Sequence, residues 1–407
     1  MRSLRKEKLR SCQTSVIDLR WRVPIASPDV GEEEAQAVYD VVKSGCIAEG
    51  EKVEEFEEMF AHYIGTKHAI ACFNGTVGLH LMLLAFGICP GDEVIVPSMT
   101  FISTVTSLLY VGAAPVFAEI DPQTLNIDPC NIRLVIEEGY ELTNGKKLVN
   151  RKSQNVLKAI MPVHYAGQAA DMIPILELAE QYDLRVLEDA AEAHGAEYAG
   201  KKVGSFGDAA MFSFTPTKNI TTAEGGMVTT QYDEIAKRIR LLKNHGQDYQ
   251  YHHAIVGYNY RMTDIQAALG VEQLKKLPAI IKRKERNARF LSSELDKVRG
   301  IVPPCLGLDR THTYMMYTIQ IDSESLGCSR DVLMQRLREK GIQAKIYFPP
   351  VHLQPIFRGM GYGDGMLPVT EAVSRRILSL PFHSKLTDQD IRYMVDCIKD
   401  CANNQPL

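Results

Sequence analysis

The chain has 407 residues, 45% of them apolar and 24% charged, with a formal net charge of −4. That length is enough for one large domain with a smaller one, or for two comparable domains, around a substantial core. The slightly acidic balance offers no electrostatic case for nucleic acid or an anionic membrane, and no apolar run reaches the ~20 residues of a membrane span.

Taken in chain order, the first residues are basic (Arg2, Arg5, Lys6, Lys8, Arg10) but lack the apolar core and cleavage site of a secretory signal. Residues 1–22 therefore read as a solvated N-terminal extension, or as a basic contact arm. From there, short apolar strands at 68–72, 93–96, 115–118, 157–161, 185–187 and 209–214 alternate with helices at 77–86, 101–111, 172–182 and 234–243. Such alternation implies a mainly parallel sheet with helices on both faces, which binds ligands beyond the carboxyl ends of its strands. A polar excursion over 139–155 reads as a hairpin or surface loop. A long helix over 263–295, with Thr263 or Asp264 as N-cap, opens a second α+β region containing a strand at 314–321 and helices at 330–340 and 387–398. The expected division is a large domain over 23–274 and a small one over 275–407. Nine scattered cysteines without a Cys-x-x-Cys pair read as reduced thiols in a cytoplasmic protein, and no metal site is expected.

Four strand-end loops carry chemistry. Lys218 follows an apolar strand and sits among hydroxyls and glycines, in Thr215-Pro216-Thr217-Lys218-Asn219 through Glu224-Gly225-Gly226. A lysine held away from bulk water loses part of its proton affinity and becomes an amine nucleophile; the competing reading is a loop lysine on the surface. Asn74-Gly75-Thr76 opens a helix where amides, a hydroxyl and the helix dipole favour a phosphate, although an ordinary cap has the same look. At Glu188-Asp189-Ala190-Ala191 alternation sends only one carboxylate to a ligand, and Asp189 lies nearer the strand's end, either pairing with a protonated ring nitrogen or capping the next helix. Phe101 after Pro97-Ser98-Met99-Thr100 is a stacking ring or a core residue. A phosphate cup, a stacking ring, an acid and an amine together are what pyridoxal 5′-phosphate needs.

These segments resemble the sugar aminotransferases of the DegT/DnrJ/EryC1/StrS family, fold-type-I pyridoxal-phosphate enzymes. The resemblance runs through Asn74-Gly75-Thr76, Gly91 to Ser98, Pro162 to Gly167, Glu188 to Ala191, Ser213 to Gly226, Gly257-Tyr258-Asn259-Tyr260-Arg261-Met262 and Tyr347 to His352, nearly the whole chain from Val23 onward. It implies that Lys218 forms the Schiff base and moves the proton, that Asp189 keeps the pyridine nitrogen protonated, and that Gly75, Thr76 and Ser213 hold the phosphate while Phe101 stacks. It further implies that Asn259 reaches the phosphate of the other subunit in a homodimer with shared active sites. Arg261 becomes a candidate for the donor carboxylate and His352 for the sugar nucleotide. Glu192 stands where many relatives carry glutamine or histidine near the cofactor. Members that dehydrate their sugar carry histidine at the position of Lys218, so the lysine implies transamination from glutamate to a keto-sugar nucleotide, with carbon 4 of the hexose favoured. A dehydratase, or a regulatory protein that kept the fold, is the alternative.

Overall fold

The computed structural model describes residues 21–143 and 147–403. Most of the expected N-terminal extension and the tip of the 139–155 excursion lie outside these residues. Among the described residues nine strands form one sheet: β1 (His68–Cys72), β2 (Asp92–Pro97), β3 (Ala114–Ala118), β4 (Tyr140–Leu142), β5 (Leu148–Asn150), β6 (Val156–Ile160), β7 (Arg185–Asp189), β8 (Ala209–Ser213) and β9 (Gly226–Thr230). Their order across the sheet is β1-β9-β8-β7-β6-β2-β3, with β4 and β5 attached as a hairpin to β6. Strands β3, β2, β6, β7 and β8 are parallel, whereas β9 runs antiparallel to both β1 and β8.

Period-two alternation sorts the side chains into two cores. Val94 and Val96 join Ile70 on one face, while Ile95 joins Ala69 and Ala71 on the other. Every residue of β2 is buried, as expected of a strand covered on both sides. The covering helices are α1 (Glu32–Ser44), α2 (Glu51–Ile64), α3 (Gly75–Ala85), α4 (Ile102–Tyr110), α5 (Pro129–Gly139), α6 (Met172–Tyr182) and α7 (Asp233–Lys243). The fold is thus α/β with a mainly parallel sheet between helices, as the alternation predicts. Strand β9 is not expected from the sequence because it begins at a glycine pair. Gly226 is required there, since a Cβ would stand 2.4 Å from the Asn74 carbonyl oxygen. Helix α1 also escapes a periodicity reading, for only Glu34 and Val41 of it are buried.

Helix α8 (Asp264–Leu295) starts with a capping box: the Thr263 hydroxyl accepts from the Gln266 amide at 3.3 Å and the Gln266 side chain returns to the Thr263 amide at 2.9 Å. Its first half packs Ala267, Val271, Leu274, Leu277 and Ile280 into the large core. Its second half gives Ala288, Leu291 and Leu295 to a separate core built with β10 (Ile301–Val302), β11 (Tyr317–Ile321), α9 (Arg330–Glu339), β12 (Ile377–Leu380) and α10 (Asp388–Asn403). The core therefore changes between Ile280 and Ala288, within the helix that also holds the expected 274/275 division.

The excursion is the β4–β5 hairpin, and Glu93 on β2 fastens it. The Glu93 carboxylate accepts from the Tyr140 hydroxyl at 2.5 Å, the Asn150 amide group at 2.9 Å, the Ser153 hydroxyl at 2.7 Å and the Asn155 amide group at 3.3 Å. Among the described residues no helix is long and apolar enough to cross a membrane.

Candidate active site

The carboxyl ends of β1, β2, β7 and β8 open into one cavity of about 410 Å³, within the ~300–1,000 Å³ usual for small-molecule sites. Gly75, Thr76, Phe101, Asp189, Glu192, Ser213 and Lys218 all line it.

Strand β7 delivers its two carboxylates to opposite faces. Glu188 turns away and is consumed by structure: it is 2.9 Å from His164 Nε2 and accepts from the amides of Gly204, Phe206 and Gly207. Because His164 Nδ1 accepts from the Ala170 amide at 3.0 Å, the Nε2 nitrogen carries the hydrogen that Glu188 receives. Asp189 turns into the cavity. Its Oδ2 accepts from the Thr104 hydroxyl at 2.7 Å and its Oδ1 from the Ala191 amide at 3.1 Å. Thr104 has one hydroxyl hydrogen and spends it on Asp189, so Thr100, 2.7 Å away, donates to Thr104. Burial still pushes the Asp189 carboxyl above the usual carboxylate range, and among the described residues no ion pair includes it. A buried carboxylate in this state fits a cationic ring nitrogen.

The residues expected to hold a phosphate meet where β1 feeds α3. The Asn74 side chain caps the helix by accepting from the Val77 amide at 3.0 Å, leaving the amides of Gly75 and Thr76 without intrahelical partners. A Cβ on Gly75 would lie 2.8 Å from the Ser213 Cβ, so glycine is what lets the helix start against the end of β8. The Thr76 hydroxyl is 2.9 Å from that of Ser103, in the first turn of α4. Three hydroxyls and a helix N-terminus thus surround one spot, an arrangement suited to a phosphate. The Phe101 ring, 56% exposed, borders the cavity with its centroid 5.9 Å from that of Phe348.

Lys218 is not a surface lysine. Its side chain is 10% exposed, and Nζ lies 3.4 Å from Glu192 Oε1. The other Glu192 oxygen accepts from the Ala166 amide at 2.9 Å. Burial raises the Glu192 carboxyl, with Lys218 opposing the shift.

Three expected residues stand elsewhere in the chain. Asn259 is exposed and outside the cavity, and Arg261 donates to Asn244 Oδ1 at 2.6 Å. Their segment is joined to the cup from outside, through the Phe73 amide and the Tyr260 carbonyl at 2.8 Å. His352, expected to contact a sugar nucleotide, has a fully buried side chain and is not in the cavity lining. Nδ1 is 2.6 Å from the Ser98 hydroxyl and Nε2 is 3.3 Å from Glu371, so both ring nitrogens are taken. Sequence reasoning missed Thr100, Thr104 and Ser103. The first lies inside a quoted motif, and the i,i+4 spacing of Thr100 and Thr104 was the available signal.

An amine, two buried carboxylates and a capped helix N-terminus at the carboxyl edge of a parallel sheet define an α/β enzyme site. More narrowly, the chain belongs to the DegT/DnrJ/EryC1/StrS aminotransferase family, whose model matches residues 28–399. It is 42% identical over 374 residues to the GDP-perosamine synthase of Caulobacter vibrioides, covering 91% of this chain and 95% of that one. It is similar to DesI solved in the presence of its TDP-sugar product, with a TM-score of 0.83 and 32% identity over 94% of this chain and 93% of that one. It also resembles the PLP form of Spr1654 from Streptococcus pneumoniae, with a TM-score of 0.85 and 27% identity over 95% of this chain and 100% of that one.

Proposed function

We propose that the protein is a pyridoxal 5′-phosphate-dependent enzyme of the cytoplasm that moves the amino group of glutamate onto a keto-sugar nucleotide, a 4-keto-6-deoxyhexose, for amino-sugar and polysaccharide biosynthesis. The observation that carries this reading is the convergence of Lys218, Asp189 and the Asn74–Thr76 cup on one cavity. When bound, the cofactor supplies a carbonyl carbon that can carry an amine and a protonated ring that accepts electrons. Gly75 and Thr76 amides, with the hydroxyls of Thr76, Ser103 and Ser213, would hold the phosphate. Asp189, whose ionised form Thr104 and the Ala191 amide favour against burial, would keep the ring nitrogen protonated. Lys218 Nζ would attach at the carbonyl and later move the substrate proton. Met211, Met315, Met316 and Phe382 give the same cavity apolar walls. The GDP and TDP in the names of the relatives support a sugar nucleotide as acceptor.

The test is spectroscopic. Purified protein mixed with pyridoxal 5′-phosphate is expected to develop the absorbance band of a lysine-linked cofactor and to lose it on addition of glutamate, whereas Lys218→Ala does neither. A spectrum unchanged by glutamate would overturn the donor assignment. Product identification from a panel of keto-sugar nucleotides tests the acceptor.

A further inference from the structure

Glu192 occupies an unusual electrostatic position. Its side chain is 5% exposed and lies in a cavity whose other buried carboxylate is Asp189. The single cation facing it among the described residues is Lys218, at 3.4 Å. The remaining titratable neighbours of the pair are the phenols of Tyr165 and Tyr347, both pushed up by burial, Tyr347 to about 12, and the imidazole of His194, pushed down to about 3 by burial and by Lys218, so all three are neutral near pH 7. Two buried carboxylates facing one ammonium leave one negative charge in excess when all three are ionised; Glu224, also in the lining, is exposed. A buried pair of this kind is stable only while both partners are charged or both are neutral. One Glu192 oxygen is fixed by the Ala166 amide, which leaves the other aimed at Lys218 Nζ.

We propose that Glu192 is the proton acceptor that converts Lys218 from ammonium to nucleophilic amine and stores that proton within the cavity. In this step an N–H bond of Lys218 breaks and an O–H bond forms on Glu192 Oε1. The electron pair stays on nitrogen, the pair changes from charged to neutral, and no proton crosses to solvent. A glutamine or histidine at this position has no carboxylate with which to do the same. The inference goes beyond the aminotransferase reading and relies on it only for the probe used in the first arm below.

Because the proton stays inside the pair, the supply of free amine is insensitive to bulk pH across the range where the pair as a whole holds its protons. The rate at which the cofactor-free, full-length protein captures pyridoxal 5′-phosphate is therefore expected to be nearly flat from about pH 6 to 8. In Glu192→Gln the amine must lose its proton to water, and the rate is expected to fall by up to roughly tenfold per pH unit on acidification. A purely structural role for Glu192 would shift the two profiles vertically and leave them parallel, and that result overturns the proposal. The second arm needs no cofactor and no reactive lysine. In Lys218→Met the cation is gone, so infrared spectra near neutral pH are expected to gain the carbonyl stretch of protonated Glu192, seen as a difference band against Lys218→Met/Glu192→Gln, in which any band of Asp189 is common to both and cancels. Absence of that difference band also overturns the proposal. Failure of the unaltered protein to capture the cofactor would instead overturn the aminotransferase reading and leave the infrared arm to decide the role of Glu192.

Discussion

Thr104 spends its only hydroxyl hydrogen on Asp189, and Thr100 stands behind it to make up the loss. The chain works against burial, which favours the neutral acid. Thr104→Val keeps the shape and removes the donor, and a hydrogen bond to a charged group is worth about 1.5–3 kcal/mol. The Asp189 carboxyl should therefore rise further, moving the acid limb of the pH–rate profile to higher pH and lowering kcat by roughly ten- to a hundredfold near neutrality. Steady-state kinetics across pH measure both. Had Glu188 been the functional acid, this variant would leave the profile in place. At this scale the residue types were legible in the sequence: lysine, aspartate and a capped Asn-Gly-Thr each carried their chemistry in local context. What was not legible was pairing. Asp189 and Thr104 are 85 positions apart and Glu192 and Lys218 are 26 apart, so no local spacing rule joins them.

Helix and strand ends set the positions of these groups. Gly75 is the point of closest approach between α3 and β8, and Gly75→Ala places a methyl group 2.8 Å from the Ser213 Cβ. The helix start must then shift, at a cost of about 1–3 kcal/mol for overpacking. Weaker binding of pyridoxal 5′-phosphate by roughly tenfold or more is expected, read by equilibrium dialysis, with the lost stability partly recovered in Gly75→Ala/Ser213→Gly, read by chemical denaturation. At the opposite end of the sheet, Glu93→Ala strips the β4–β5 hairpin of four hydrogen bonds. A loss of about 1–3 kcal/mol in stability is expected, with kcat unchanged because the hairpin lies away from the carboxyl edge; chemical denaturation and kinetics check the two halves. In α8, Lys284 is buried against Asn219 Oδ1 at 2.7 Å, near Phe382, His312 and His383, and burial lowers it from its ordinary value to about 7. The unfolded chain holds that proton up to about pH 10, so between pH 7 and 10 unfolding takes up a proton and stability rises with pH. Lys284→Met is expected to flatten this rise in urea midpoints collected across that range. The elements themselves were largely readable: the parallel strands and α8 followed from periodicity and caps. Strand β9 was not, because its glycine start is dictated by the Asn74 carbonyl against which it packs.

At the scale of the whole molecule, Asn259 and Arg261 sit outside the cavity of their own chain, on a segment tied to the outer side of the cup. If the segment serves the cavity of a second copy, Lys218→Ala and Asn259→Ala are each inactive alone. Mixing and reassociating the two should then restore activity to about a quarter of the unaltered level, since half of the subunits pair unlike and each such dimer keeps one intact site. Activity assays on mixtures, with sedimentation to establish the dimer, check this, and an absence of recovery between the two inactive variants would overturn the sharing of the site between subunits. The sequence by itself determined the α/β class, the chemical inventory and its order along the chain, because periodicity, caps and strand-end loops are local properties. Only the tertiary structure decided that His352 is enclosed by Ser98 and Glu371, and that Glu192 stands against Lys218. Each of those outcomes depends on which distant strand ends and loops the packed sheet brings within a few ångströms of one another, and no local pattern encodes that.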